Sequence, residues 1–196
     1  MKVGGFNKDP AAKSKTIPAH VVKNCITTMA KNNGFYANHQ PGKAATWFNN
    51  RAYNNGRANF DMTEGSETWQ VDSSGKVVDI CGTREVLFFN IAHKYNRGLK
   101  NNGSMYGTEG NLYSANIPDK NNQYNSWNFR DITLSDDDFL SLDVSELAKD
   151  RANDGSLPNV NFMKLNPKGP NYKKLKTIED ELAKYEVTDD GVIVKK

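Results

Sequence analysis

A chain of 196 residues is long enough for one domain with its own core and too short for several. Its hydrophobic share of 37% is low and its charged share of 25% ordinary, a balance that suits a narrow core. It holds neither a signal peptide nor an apolar run of about 18 residues, so no segment reads as a membrane-spanning helix. The net charge of +3 is uneven. Residues 1–63 carry nine Lys/Arg against Asp9 and Asp61, a local +7, while the rest carries 17 basic and 21 acidic residues, a local −4. The basic half favours an anionic partner.

In chain order, MKVGG is strand-like and residues 6–18 read as a polar loop. Residues 20–62 then state one pattern twice, as HVVKNCITTMAKNNGFYAN and ATWFNNRAYNNGRANFDM. Cys25 falls on Asn50 and Phe35 on Phe60, both 25 residues apart. Residues 63–83 read as an insertion with a turn near Asp72 to Gly75. A looser third copy, residues 84–96, sets Asn90 on Asn50 and Ala92 on Ala52. Residues 97–125 read as a second insertion, rich in Asn and Gly, and residues 126–144 as a last irregular coil. From 146 to 196 a capping tail is expected. It is weakly helical after Ser145, and a short helix runs from an N-cap at Thr177 to Tyr185, with Ile178, Leu182 and Tyr185 on one face.

A period of about 25 residues marks a stacked architecture. The repeated units lack a 3.6-residue apolar stripe and show strand-length runs broken by Asn and Gly, so the stack is read as β rather than helical. The expected fold is all-β: a right-handed parallel β-helix over residues 1–145, with successive coils at the strand spacing of about 4.8 Å. The 25 asparagines fit, since Asn at one position of successive coils bonds to its copies and to turn backbone. Of the two cysteines, Cys25 lies in an apolar strand and reads as a buried free thiol, with a disulfide to Cys81 the alternative.

NGFYANHQPG followed by WFNNRAYNNGRANFDM resembles the coils of polysaccharide lyase family 9, and DGSLPN at 154–159 resembles the C-terminal region of such enzymes. The resemblance spans roughly residues 1–165 and implies cleavage of pectate or the rhamnogalacturonan backbone by β-elimination. MKVGG looks like the middle of the family's lysine-bearing segment, which makes Lys2 the implied base. The resemblance also implies Ca²⁺, held on aspartates upstream of this chain. The chain is then expected to be the C-terminal part of a monomeric enzyme, secreted or periplasmic, acting on an acidic plant polysaccharide.

The residues support a site independently. Laying Met1 over Phe35 and Phe60 puts Lys2, Tyr36 and Asp61 in one column, outward by strand alternation. Asn38 and His39 follow at the turn, and Arg57 and Asn59 precede the strand. An aromatic face, amides and cations suit sugars that carry carboxylates. A lysine starts near pKa 10.4, so as a base it needs cations or desolvation around it and an alkaline working pH.

Plainer readings stand beside these. Lys2 also suits a solvated surface charge, Tyr36 a surface stack, and Arg57 with Asp61 a surface ion pair. His39 lies far from His20 and His93 in sequence, and Asp136-Asp137-Asp138 suits an acidic turn better than a Ca²⁺ loop. A non-catalytic β-helix that binds acidic polysaccharide is the alternative to the lyase. Nucleic-acid binding has only the basic half behind it and no motif.

Overall fold

The computed structural model describes residues 1–4, 20–38, 45–62, 69–71, 77–79, 86–95, 105–107, 112–114, 132–155 and 158–196. Short strands run β1 (Lys2–Gly4), β2 (Val21–Lys23), β3 (Ile26–Thr28), β4 (Phe35–Asn38), β5 (Thr46–Phe48), β6 (Arg51–Asn55) and β7 (Phe60–Met62). There follow β8 (Trp69–Val71), β9 (Val77–Asp79), β10 (Val86–Phe88), β11 (Ile91–Tyr95), β12 (Met105–Gly107) and β13 (Leu112–Ser114). A helix, α1 (Tyr172–Leu182), and the strands β14 (Tyr185–Val187) and β15 (Ile193–Lys195) end the chain.

Among the described residues, three sheets are parallel: β1-β4-β7-β12, then β2-β5-β10-β13, then β3-β6-β11. From β2 onward the chain enters the second, third and first sheets in that order three times, and β13 re-enters the second. The 25-residue period appears as register: Phe35 pairs with Phe60, Thr27 with Ala52 and Val22 with Trp47. The looser third copy also holds, with Ala92 beside Ala52 and Leu87 beside Trp47.

Inward positions of the three parallel sheets build the first core. Val22, Trp47 and Leu87 come from the second sheet, Ala52 and Ala92 from the third, and Phe35, Phe60 and Met62 from the first. The alanines leave room for the rings. Phe35 stacks on Phe60 with centroids 4.8 Å apart, and Trp47 meets Phe35 edge-on at 5.9 Å. Cys25 is a free thiol, half-buried against this core.

The asparagines make the corners. Between the second and third sheets, Asn24, Asn49 and Phe89 occupy the same turn position with φ of 57°, 52° and 55°. Asn tolerates that left-handed conformation better than most residues. The next position is a ladder: Asn50 Oδ1 accepts from Cys25 N–H at 3.0 Å, and Asn50 Nδ2 donates to Val22 O at 2.9 Å and to Asn90 Oδ1 at 3.0 Å. Asn90 Nδ2 in turn donates to Trp47 O at 2.8 Å. The corner after the third sheet repeats the device. Met29, Asn54 and Lys94 have positive φ, and Asn55 Oδ1 accepts from Ala30 N–H at 3.1 Å. A buried polar group left unmet costs about 1–3 kcal/mol, so each ladder ties its turn to the neighbouring turns. Gly34 is required beside it, because a Cβ there would meet Asn55 Nδ2 and Thr27 Oγ1 at 2.5 Å.

Both stretches read as insertions contain paired strands. Within 63–83, β8 and β9 form an antiparallel pair, and the turn expected at Asp72 to Gly75 lies outside the described residues. Within 97–125, β12 pairs with β7 and β13 with β10, so this stretch continues two of the parallel sheets. The helix also starts earlier than expected. It begins after an N-cap at Asn171, and Thr177 lies inside it, its hydroxyl donating to Lys173 O at 2.9 Å. Tyr185 leaves the helix for β14. The apolar stripe holds nonetheless, with Leu175 and Ile178 buried and Leu182 and Tyr185 packed beside them.

Residues 132–196 build a second core against the outer side of the third sheet. Ile132, Leu134, Phe139, Phe162 and Leu165 gather on Phe89 and Ile91. Arg51 of β6 reaches out to Glu179 Oε1 at 2.7 Å and to Met163 O. No helix among the described residues is long and apolar enough to cross a membrane.

Candidate functional site

The column read from the repeat is present as register. Lys2 pairs with Tyr36, Tyr36 with Asp61, and Asp61 with Tyr106 on four neighbouring strands of the first sheet. At about 4.8 Å per strand these positions span roughly 14 Å. Asn38 pairs with Gly4 one strand over. His39 and Cys81 lie outside the described residues.

Tyr36 is half-buried, and three influences meet on its phenol. Burial raises its pKa above the ordinary tyrosine value, the Asp61 carboxylate raises it further, and the exposed Arg57 guanidinium pulls the other way. Tyr36, Arg57 and Asp61 therefore share one locality, although Arg57 stands outside any strand, on a turn whose N–H donates to Asn32 O at 3.0 Å. The phenol stays protonated well into the alkaline range, a neutral donor with an aromatic face.

Asp61 departs from the alternation rule. Expected outward, it is 2% exposed, and its neighbours Phe60 and Met62 are buried with it. Alternation fixes which side of a strand a residue takes, not whether that side meets water. Here the Asn33 amide donates to Asp61 Oδ2 at 2.7 Å and so keeps a buried carboxylate hydrogen-bonded. Asn33 Oδ1 is also buried, with no hydrogen-bond partner, which leaves an acceptor beside the column. Sequence reasoning missed Asn33. Its signal was the Asn-Asn step before Phe35, read only as a turn. Asn59 is likewise structural, being buried with its amide on His93 O at 3.3 Å and Lys94 O at 2.6 Å.

The other candidates are engaged elsewhere. Asp136–Asp138 is a single 3₁₀ turn. Asp138 is buried and accepts from Ser135 N–H at 2.8 Å, from Asn171 N–H at 2.9 Å and from the Asn171 amide at 2.9 Å. Asp136 accepts from Lys94 Nζ at 2.6 Å and meets His93 Nε2 at 2.9 Å, and the Lys94 contact leads in holding its pKa below the ordinary carboxylate range. His93 is buried between Tyr53 and Phe139.

No family model, curated protein or solved structure matches this chain. The site therefore stands on its own chemistry.

Ca²⁺, which the lyase resemblance implies, takes six to eight oxygens, several from carboxylates. The strip offers Asp61, one oxygen of which already holds Asn33. No group of three or more His, Cys, Asp or Glu able to hold a metal occurs among the described residues. These residues do not fit the ion, and no step is drawn through it. What they suit is binding: a neutral phenol and an exposed guanidinium, with the buried Asp61–Asn33 pair behind them.

The phenol provides a direct check. Asp61→Asn should lower the Tyr36 titration midpoint, and Arg57→Ala should raise it, as read from the ring-carbon NMR shift of that tyrosine. Because the folded pKa is the raised one, the associated stability is complete below the ordinary tyrosine value of about 10. It is lost as pH rises through the folded midpoint. A midpoint indifferent to both substitutions would separate Tyr36 from these charges.

Proposed function

We propose that the chain is a right-handed parallel β-helix whose first sheet binds a uronate polysaccharide of the pectic type and cleaves it by β-elimination, with Lys2 as the base. The observation that carries this reading is the register of Lys2, Tyr36 and Asp61 on three neighbouring strands. The repeated order in which the chain enters its sheets, the asparagine corners and the basic excess of residues 1–63 support it.

Each group has a task. Arg57 faces the uronate carboxylate, where a guanidinium forms charge-assisted hydrogen bonds. The neutral Tyr36 offers its ring to a sugar face and its hydroxyl as donor. Asp61, buried and held by Asn33, stays behind the strip and helps keep the Tyr36 phenol protonated. Lys2, unprotonated, takes the proton on the carbon alpha to the carboxylate. That electron pair forms the new C=C bond as the bond to the 4-oxygen breaks, and the departing oxygen takes a proton from water.

Binding without turnover is the second reading. The neutral Tyr36 phenol and the exposed Arg57 guanidinium favour it, since both serve recognition whether or not Lys2 acts as a base.

Retention on immobilised polygalacturonate tests the shared part. The protein should bind at low salt, elute as screening shortens from about 10 Å at 0.1 M to about 3 Å at 1 M, and ignore a neutral glucan. Equal retention on both polymers, or indifference to salt, would remove the anionic-glycan reading. Growth of ultraviolet absorbance from unsaturated ends separates the lyase from the binder.

A further inference from the structure

A groove of about 490 Å³ lies between the corner joining the second and third sheets and the end of α1 with β14. Neither Tyr36, Arg57 nor Asp61 lines it, so it is separate from the strip on the first sheet. Its size falls within the range of about 300–1,000 Å³ common to ligand sites.

The charges in its wall largely cancel. Arg51 pairs with Glu179 at 2.7 Å and Lys176 with Asp180 at 2.6 Å. Beyond these pairs stand Lys23, Lys196 and Glu186, all exposed; Lys196 Nζ donates to Ala183 O at 3.2 Å, so Lys23 is the wall cation that faces a ligand. Arg51 is spent on Glu179 and Met163 O, so no guanidinium fork is left for a phosphate. One carboxylate per unit matches a single cation better than a dense phosphate does.

The uncharged wall has the complementary parts. At the rim, Asn24 Oδ1 accepts from Asn49 Nδ2 at 2.8 Å. An amide has four hydrogen-bonding positions, so each of these asparagines keeps donors and acceptors for hydroxyls beyond that bond. Both occupy the same left-handed turn position in successive repeats, which holds them in a fixed array before any ligand arrives. Phe48 and Tyr185 give the apolar side, braced through Phe88 at 5.9 and 5.4 Å.

We infer that this groove is a second binding site for an acidic oligosaccharide, with Lys23 on a uronate carboxylate, the Asn24–Asn49 amides on hydroxyls, and Tyr185 on a sugar face. The inference rests on the polyuronate reading above and extends it to a second face of the molecule.

Calorimetric titration of the full chain with trigalacturonate tests it, with maltotriose as the neutral control. Two sites are expected. Tyr36→Ala should remove one and leave the other. Lys23→Glu should weaken the survivor about tenfold, the scale of reversing one charge contact across solvent, and Glu186→Lys should strengthen it. Both positions are exposed, so unchanged melting temperatures are expected. Opposite responses to these two reversals would not follow from a structural role. The groove assignment falls if only the Tyr36-dependent site exists, if the reversals act alike or not at all, or if maltotriose fills the groove equally well. Absence of any trigalacturonate binding would instead overturn the polyuronate reading together with the groove.

Discussion

Phe60→Ala is expected to destabilise the fold by about 3–5 kcal/mol, the range for truncating a buried aromatic residue. Phe60 is 0% exposed, stacked on Phe35 in the strand beside it, and lies within the cluster that also holds Trp47 and Met62. Its flanking strands β4 and β12 are hydrogen-bonded to it on both sides, so the backbone cannot close onto the space left by the ring. The lost transfer energy and the residual cavity therefore add. Arg57→Ala, three residues away and exposed, should stay within about 0.5 kcal/mol and serves as the control. Urea denaturation of the two variants checks the contrast. A cost below about 1 kcal/mol for Phe60→Ala would mean that the ring stack is not the centre of the core.

The second large effect concerns Lys2. In protein that produces unsaturated ends from polygalacturonate, Lys2→Ala should cut turnover by about 10²–10⁴-fold, the usual contribution of a positioned base. Retention on the polymer should change little, because the base makes its difference in the transition state. Lys2→Arg should be nearly as slow. It keeps the positive charge, but a guanidinium does not give up its proton at accessible pH. Turnover of the unsubstituted protein should rise toward alkaline pH as the amine, ordinarily near 10.4, loses its proton. Near-normal turnover in Lys2→Ala would leave the lysine a bystander and return the strip to binding alone.

Much of this was legible in the repeat. Strands stacked in parallel bring residues one period apart into contact, so a 25-residue spacing is a list of neighbours. Cys25 with Asn50 and Phe35 with Phe60 are in contact or in register for that reason, while Ala52 and Ala92 keep register at a separation of 40 residues. In the column, Tyr36 over Asp61 follows from the same spacing, and Lys2, 34 residues before Tyr36, from laying Met1 over Phe35. The asparagine ladders were legible as composition, because a turn that needs both positive φ and amide bonding leaves few other residues. The strands inside 97–125 were not. Tyr106 lies 45 residues after its partner Asp61, too far for the period to predict register, and Tyr113, 26 after Leu87, falls in a stretch whose Asn and Gly content reads as loop.

What depended on tertiary structure is which outer faces meet water. The repeat places Asp61 on the side of its strand opposite the core, but its burial comes from what surrounds that side, including Asn33. Arg51 reads as a surface cation until α1 arrives 128 residues later with Glu179. Asp138 reads as one of three solvated acids until Asn171 closes on it from 33 residues away. Contacts within the stack recur at a period and are written in the sequence as a pattern. Contacts between the stack and residues 132–196 are each made once, between residues whose separation nothing repeats, so they leave no periodic mark in the sequence and emerge only when the chain is folded.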